Sequence, residues 1–517
     1  MVRVLAALLL TILALPFTLY IPAVSSYVKD IATAIASEST GWQITASSLD
    51  IDFPLTVSLT DVTVITAPAD TMIQAGRLEA DIAVLPLLTL RIEAETITAE
   101  KARYSSLLSD STLSIIAAID KCSLKESSLS KNAIAIGEAI VDGADITIDF
   151  DMYRQKAEEP DTAATEPWLI TAHGIALKNV AYRMTMLPTI DSLSAVIGCA
   201  TLNNGVVNTI SRKVNAKKLL VDGLDVAYFK PTEQMLATLP PLPETAAETP
   251  YDTVQWTVTA SEIGLRNANA TYAIAGSVPA KGLDFNHISC TGIEFDIADF
   301  YNRGTSVIVP LKHLTATERC GLTVSDASVL FKFSNESISC DSLQIVTTGS
   351  SVTANMAADA EAIELADAAA IAIKANAVIA PDDISMAFPD IARYLSALNP
   401  IVADIDANGS VGDIVLNSLS LSALPLASLR AKGRARNMTS ESKRNISLAF
   451  NGNIPNAERY KKALLSEPTA SIISIPGLKA EGKLRIVECG ICSDVGKLVE
   501  IIPQTVDCER SIERSGR

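Results

Sequence analysis

Strict alternation of apolar and polar residues is the feature of this sequence that most limits its fold. Every odd position from 49 to 59 is apolar, whereas most even positions in the same run carry Asp, Ser or Thr. This period of two predicts a half-buried β-strand, because successive side chains point to opposite faces of a sheet. The run is either one strand or two strands interrupted near Pro54. Runs at 78–84 and 88–94 repeat the pattern, so we predict a mainly β fold.

Helical signals are sparse and short. Residues 388–398, 456–466 and 494–502 each place aliphatic side chains on one face at helical spacing. Aromatic residues make up only 5% of the chain although 48% is apolar, so the apolar mass is aliphatic and suits pleated sheets. No stretch resembles alternating βαβ units, and a doubly wound parallel sheet is therefore not expected.

Clean alternation leaves every strand with one apolar face, and a few short helices cannot cover roughly twenty-five predicted strands. These faces either meet each other in ordinary sandwich or barrel domains, or they line an open groove. An open apolar surface of that size is typical of a ligand or partner site. The residues that we expect to line a groove are Leu49, Ile51, Phe53, Leu55, Val57, Leu59, Leu78, Ile82 and Val84.

The middle of the chain contains an internal repeat. Residues 141–148 (VDGADITI) correspond to residues 221–228 (VDGLDVAY), 80 positions later. An acidic loop rich in Pro and Ala follows each segment, and a strand that begins near Trp168 or Trp256 follows each loop. We interpret the pattern as a duplicated sheet unit joined by solvated, disordered loops of variable length.

The N-terminus predicts a membrane anchor. Residues 4–24 carry no charge, and Arg3 precedes them. Roughly twenty apolar residues are what a bilayer-spanning helix needs, whereas the apolar part of a cleaved signal has about 7–15. The small residues at 23–25 also fit a cleavage site, so a cleaved signal is the alternative. By the positive-inside rule, the rest of the chain is predicted to lie outside the cytoplasm.

Residues 26–38 follow with Val28, Ile31 and Ile35 on one helical face, which predicts a short amphipathic helix. This helix either docks on the bilayer or, as we prefer, caps the sheet. The predicted organisation is an anchor (1–25), an amphipathic helix (26–40), a first β-groove segment (41–156), an acidic loop (157–167), a groove repeat (168–230), a Pro/Glu-rich loop (231–252) and a groove continuation with short helices (253–517).

Side chains that carry catalysis are few and scattered. His173, His287 and His313 stand singly, without the spacing of a zinc site or a hydrolase motif. We therefore predict no enzyme activity, no metal and no cofactor. The net charge of −17 argues against nucleic acid as a partner, because such binding needs a basic patch.

Eight cysteines are spread over nearly 400 residues, which is not the pattern of a small disulfide scaffold. Cys489 and Cys492 form a CxxC motif, but the βαβ setting of a thioredoxin-type pair is missing around it. We interpret them as neighbouring structural thiols, one of which is a candidate to pair with Cys508.

The order of these segments resembles a known family. An anchor ending in IPAV and an amphipathic helix are followed by SSLDIDFPLTVSLTDVTVI at 47–65 and DTMIQAGRLEADIAVLPLL at 70–88. The match continues through 168–190, 282–310 and ERCGLTVSDASVLFKF at 318–333. Over nearly its whole length the chain is similar to the AsmA-like superfamily, and more closely to the TamB-like translocation and assembly proteins of Gram-negative envelopes.

The resemblance implies an elongated β-groove, or β-taco, with an aliphatic interior, anchored in the bacterial inner membrane with its body in the periplasm. It implies a role in outer-membrane biogenesis, in which the groove carries phospholipid acyl chains between the membranes. The alternative is assembly or translocation of outer-membrane or secreted proteins together with an outer-membrane barrel protein. TamB-like chains usually run longer, so this chain is expected to be a short paralogue, an interrupted gene or a fragment.

Overall fold

The computed structural model of the protein describes most of the chain between residues 42 and 508. The described ranges are 26–27, 29–31, 33–34, 37–38, 42–52, 55–66, 71–83, 92–106, 113–130, 133–151, 169–187, 191–208, 210–239, 255–391, 400–423, 427–440, 444–454, 478–489 and 496–508. The predicted anchor, the acidic loop at 157–167 and the helix predicted at 456–466 lie outside these residues. Within them, no helix combines the length and apolar character needed to cross a membrane.

The described chain is mainly β and divides into two compact units, Met1–Val278 and Pro279–Arg517. The strands of the first unit are β1 (Gln43–Thr45), β2 (Ser48–Asp52), β3 (Thr56–Ile65), β4 (Thr71–Ile82), β5 (Ile92–Ser106), β6 (Leu113–Ser130), β7 (Ala133–Asp151), β8 (Leu169–Leu187), β9 (Asp191–Asn208), β10 (Lys213–Lys230) and β11 (Thr257–Ile274). A single helical turn, α1 (Glu233–Leu236), follows β10.

Strands of the first unit pair in chain order, with β1 and β2 side by side along β3. Most of these pairs are antiparallel, but β7–β8 and β10–β11 are parallel. A parallel neighbour requires a crossover of a dozen or more residues. The two long loops of the internal repeat supply these crossovers, so the duplication of the sequence is a duplication of parallel steps in the sheet.

The second unit is an antiparallel meander in which each strand pairs with the next one in the chain. Its strands are β12 (His287–Arg303), β13 (Ser306–Glu318), β14 (Thr323–Phe333), β15 (Ser337–Thr347), β16 (Ser351–Asp359), β17 (Ala370–Ile379), β18 (Ile401–Ser410), β19 (Asp413–Ala423), β20 (Ala427–Arg436), β21 (Asn445–Ile454), β22 (Leu478–Cys489) and β23 (Gly496–Cys508). The short helices are α2 (Pro381–Ala387) and two 3₁₀ turns, Ala360–Glu364 and Pro389–Ile391.

The structure decides between two alternatives at Pro54, shows helix in the described residues of a predicted helix, and contradicts another predicted helix. The run around Pro54 forms two strands, β2 and β3, and the described residues between 26 and 38 are helical. The described part of the helix predicted at 494–502, residues 496–502, is instead part of β23, where Val499 pairs with Ile486 and Ile501 with Leu484. Short apolar runs fit either element, and here the neighbouring strand decides between them. Of the helix predicted at 388–398, the described part is the 3₁₀ turn Pro389–Ile391.

Strand register also corrects the candidate pairing between Cys489 and Cys508. Cys489 is opposite Gly496, whereas Cys508 is opposite Leu478, so the two cysteines lie at opposite ends of one hairpin. Eleven residues of extended strand separate these ends by roughly 36 Å, far beyond the reach of a disulfide. Cysteines with free thiols are Cys122, Cys199, Cys290, Cys320 and Cys340.

Helix α2 is held against the β15–β16 turn by a buried carboxylate. Asp383 is only 7% exposed and accepts hydrogen bonds from Thr347 Oγ1 and Ser350 Oγ, each at 2.5 Å. The backbone N–H of Leu283 donates to the carbonyl of Ala387 at 2.8 Å and joins the segment before β12 to the end of the helix. These bonds satisfy groups that would otherwise be buried without a partner.

Asp284, in the same segment, is expected to make folding depend on pH. Its carboxylate accepts the backbone N–H groups of Ala280 and Asn286 at 2.8 and 2.9 Å, and contacts His287 Nδ1 at 2.9 Å. These bonds, the backbone ones above all, lower the pKa of Asp284 from 3.8 to about 2. The stabilisation is therefore complete above pH 4 and is lost as the pH falls through 2.

The measurement is denaturant unfolding of the native protein and of Asp284→Asn between pH 7 and pH 2. We expect the native protein to be the more stable at pH 7 and the difference to close as the pH approaches 2. A difference that stays constant over this range would show that the carboxylate charge is not what stabilises the segment.

Candidate functional site

Strand register joins the alternating side chains of the first unit into continuous apolar rows. Residues opposite one another in a ladder point to the same face, so a row runs across the strands. One row contains Leu49, Leu59, Leu78, Ala99, Cys122, Val141, Leu177, Ala200, Val221 and Leu265. The next contains Ile51, Val57, Ala80, Ile97, Leu124, Ala139, Ile175, Leu202, Leu219 and Ile263. Each row takes one residue from every strand from β2 to β11.

The second unit has the same organisation. One row contains Val309, Phe331, Cys340, Met356, Ile373, Ala407, Leu416, Gly433 and Leu448. Another contains Ala327, Ile345, Val352, Ala377, Ala403, Leu421 and Leu429. Each unit thus presents one broad aliphatic surface, which we call its apolar face.

The other face of the first unit carries a ladder of charges. A row of alternating sign consists of Arg77, Glu100, Lys121, Asp142, Lys178, Cys199, Asp222 and Arg266. Lys121 Nζ lies 3.4 Å from Glu100 Oε1, and elsewhere on this face Lys218 Nζ lies 3.1 Å from Glu262 Oε2. Exposed pairs of this kind contribute little stability. These ion pairs mark the more polar face of the sheet. They also oppose a slip of strand register, because a slip would bring like charges together.

The apolar faces keep contact with solvent. Leu202, Leu219 and Val221 are all half-buried, although they stand in the middle of the first unit's rows. The buried hydrophobic residues of the described chain are mostly alanines, and Leu49 and Leu265 still have 7% of their surface exposed. Inner faces of a closed sandwich interdigitate and bury their large side chains almost completely. The observed exposure therefore favours open apolar faces over sandwich cores.

Two lines of irregular residues cross the sheet of the first unit. We call each line a seam: at its residues the regular pairing between neighbouring strands is interrupted for one or two positions. The first seam consists of Asp61, Gly76, Lys101, Asp120, Gly143, Asn179, Gly198, Gly223 and Asn267. The second seam lies six residues away on each strand, at Glu95, Glu126, Gly137, His173, Asn204, Lys217 and Ser261. His173, which stands without a motif in the sequence, is one of the residues of this second seam.

Left-handed backbone recurs along both seams, at six positions of the first and at Glu126 and Asn204 of the second. Gly143, Asn179, Gly223 and Asn267 have φ values of 71°, 52°, 70° and 51°. A left-handed residue inside a strand turns the chain and shifts the alternation by one position. In β10 the apolar positions are accordingly 219 and 221 before the seam but 224, 226 and 228 after it, and all remain on one face. The seams divide the apolar face of the first unit into panels, and apolar side chains continue on both sides of each seam.

Both copies of the internal repeat lie on the first seam and make the same contacts there. Asn179 Nδ2 donates to Asp142 Oδ1 at 3.0 Å, and Asn267 Nδ2 donates to Asp222 Oδ1 at 2.8 Å. In each copy the Asp-Gly pair of the VDG segment stands beside an Asn in left-handed conformation on the parallel strand. Asn and Gly are the residues that adopt this conformation at least cost.

The structure brings most of the predicted groove residues together. Leu49, Ile51, Val57, Leu59 and Leu78 all stand in the two rows of the first unit. Leu55 lies in the turn before β3, and Ile82 ends β4 opposite Ala94. Phe53 and Val84 lie outside the described residues.

Sequence reasoning named no individual groove residue beyond residue 84. The two seams lie six residues apart, and at each of them the alternation of apolar and polar residues is interrupted. A search for a strict period of two therefore loses the pattern. The detectable signal was the spacing of three between apolar residues across each VDG segment, as between Val221 and Leu224. Comparison of the sequence with protein-family models and with curated proteins finds no match.

Proposed function

We propose that this protein is anchored in a bacterial inner membrane and carries phospholipid acyl chains along its apolar faces between the two membranes of the envelope. The observation that carries the proposal is the pair of continuous apolar rows that span the first unit from β2 to β11. Acyl chains need surface without hydrogen-bond donors or acceptors, and each methylene that leaves water contributes about 0.8 kcal/mol.

Because successive strands present similar apolar side chains, the apolar face suits movement of a lipid along the sheet as well as its binding. Neighbouring strands are roughly 4.8 Å apart, and each presents the same type of side chain to the next. A lipid that shifts by one strand exchanges one set of aliphatic contacts for another, so its free energy changes little. No catalytic residue is assigned in this proposal. The uncharged segment 4–24 and the similarity to TamB-like proteins support the membrane anchor and the periplasmic location.

Photo-crosslinking at adjacent positions on opposite faces tests the proposal. A benzophenone amino acid replaces Leu202, on the apolar face, or Asn203, which is exposed on the charged face. The full chain is expressed in a Gram-negative envelope, irradiated and purified, and its adducts are identified by mass spectrometry. We expect phospholipid adducts at position 202 and background levels at position 203.

Two outcomes would count against a lipid carrier. Adducts at position 202 that consist of polypeptide would indicate the assembly of envelope proteins instead. Equal lipid labelling at both positions would show that the apolar face has no special contact with lipid.

A further inference from the structure

The tyrosines in the described strands of the first unit lie toward the same strand ends on its apolar face. The described strands of this unit contain four of them, Tyr104, Tyr182, Tyr228 and Tyr272. Tyr104 and Tyr182 share a row through Ala117 and Ile146, and Tyr228 and Tyr272 pair directly one row further out. The rings of Tyr228 and Tyr272 are stacked with centroids 6.0 Å apart. Tyrosine suits a boundary where one end of the side chain is in an apolar medium and the other is in water.

An acidic side chain with spare bonding capacity stands beside the stacked pair. Asp191 begins β9 and pairs with Met186 on the apolar face, two positions from Leu193, the partner of Tyr228. Burial, and after it a side-chain hydrogen bond with Asp191, raise the pKa of Tyr228 above its ordinary value. Asp191 Oδ1 is closed off from solvent and has no hydrogen-bond partner within the described part of the chain.

We propose that Asp191, Tyr228 and Tyr272 form a headgroup site that binds the ammonium group of a zwitterionic phospholipid whose acyl chains lie on the apolar face. The inference rests on the proposed function and names the lipid class for the same face. A carboxylate oxygen without a donor matches an ammonium group, which has donors only. Two stacked aromatic rings at the same edge add cation–π attraction.

Charge at this edge also discriminates between lipid classes. Lys230 is exposed two residues beyond Tyr228, so it lies on the same face and can meet the lipid phosphate. A lipid with an ethanolamine headgroup supplies both the phosphate and the ammonium. A lipid with a glycerol headgroup leaves the Asp191 carboxylate without a cationic partner, which is costly because its Oδ1 atom has no contact with water.

The test places the benzophenone amino acid at Leu193, in the full chain and in the envelope, and compares the headgroups of its lipid adducts with those of the membrane. We expect phosphatidylethanolamine to be enriched over phosphatidylglycerol about fivefold. Asp191→Asn is expected to reduce the enrichment to about one without lowering the yield of adducts. Asp149→Asn, an exposed carboxylate at the same end of β7 but on the charged face, is the control and is expected to keep the enrichment.

Adducts that mirror the membrane composition in the native protein would overturn the headgroup site, as would an enrichment that survives Asp191→Asn. In both cases lipid adducts at Leu202 would leave the carrier function standing. Failure to find lipid adducts at both 193 and 202, in protein that remains folded, would overturn both proposals.

Discussion

Replacing Leu202 and Leu219 together by aspartate is expected to abolish lipid binding on the central panel of the first unit. The two leucines are directly opposite each other in β9 and β10, in the middle of an apolar row. An aspartate costs about 3 kcal/mol when hydrocarbon surrounds it. Two such residues should weaken acyl-chain binding at this point by well over a hundredfold. The measurement is the yield of lipid adducts from a benzophenone amino acid at the neighbouring Ile175.

The matched control moves the same two aspartates one residue along, to the opposite face. Asn203 and Lys218 are also paired across β9 and β10, and both are exposed. The double variant Asn203→Asp, Lys218→Asp should therefore keep its lipid adducts. Far-ultraviolet circular dichroism must show the same strand content in both double variants. Equal adduct yields from the two would contradict the assignment of the apolar face as the lipid surface.

Gly143→Ala is expected to destabilise the first unit by about 2 kcal/mol. Gly143 has a φ of 71°, in the left-handed region, where a residue with a Cβ is less stable by roughly 1–2 kcal/mol. The new Cβ would also lie 3.0 Å from Asp120 Cβ, closer than ordinary van der Waals contact. Both effects act on the first seam, where β6, β7 and β8 are held in register. The shift in the midpoint of denaturant unfolding measures the change.

Gly174→Ala is the control for this variant. Gly174 is also a strand glycine, in the adjacent β8, but the nearest atom to a new Cβ is 3.8 Å away, at Glu138. Alanine there meets ordinary contacts and should leave stability unchanged or raise it slightly, because glycine in a strand interior is unfavourable. Equal losses from the two substitutions would show that the seam places no special demand on backbone conformation.

Local pattern was sufficient to predict how a strand presents its side chains where no seam interrupts the alternation. The alternation around Pro54 correctly predicted β-structure, left open whether it forms one strand or two, and placed Leu49, Ile51, Val57 and Leu59 on one face. The same reasoning was wrong at 494–502, because an apolar spacing read over nine residues fits a helix as well as the strand β23. The left-handed seam residues were not predicted, because a search for a strict period of two passes over the spacing of three between apolar residues that marks each VDG segment.

The sequence by itself determined that the chain is mainly β and that each strand has one aliphatic face, because side-chain direction in a strand depends only on neighbouring residues. Tertiary structure alone decided which strands are neighbours, where two of the pairings become parallel, and that the separate faces join into continuous rows. It also brought Asp191 to Tyr228, which are 37 residues apart in the chain. Strand pairing depends on hydrogen bonds between distant segments and on the closure of the loops between them, and neither is contained in a local pattern of residues.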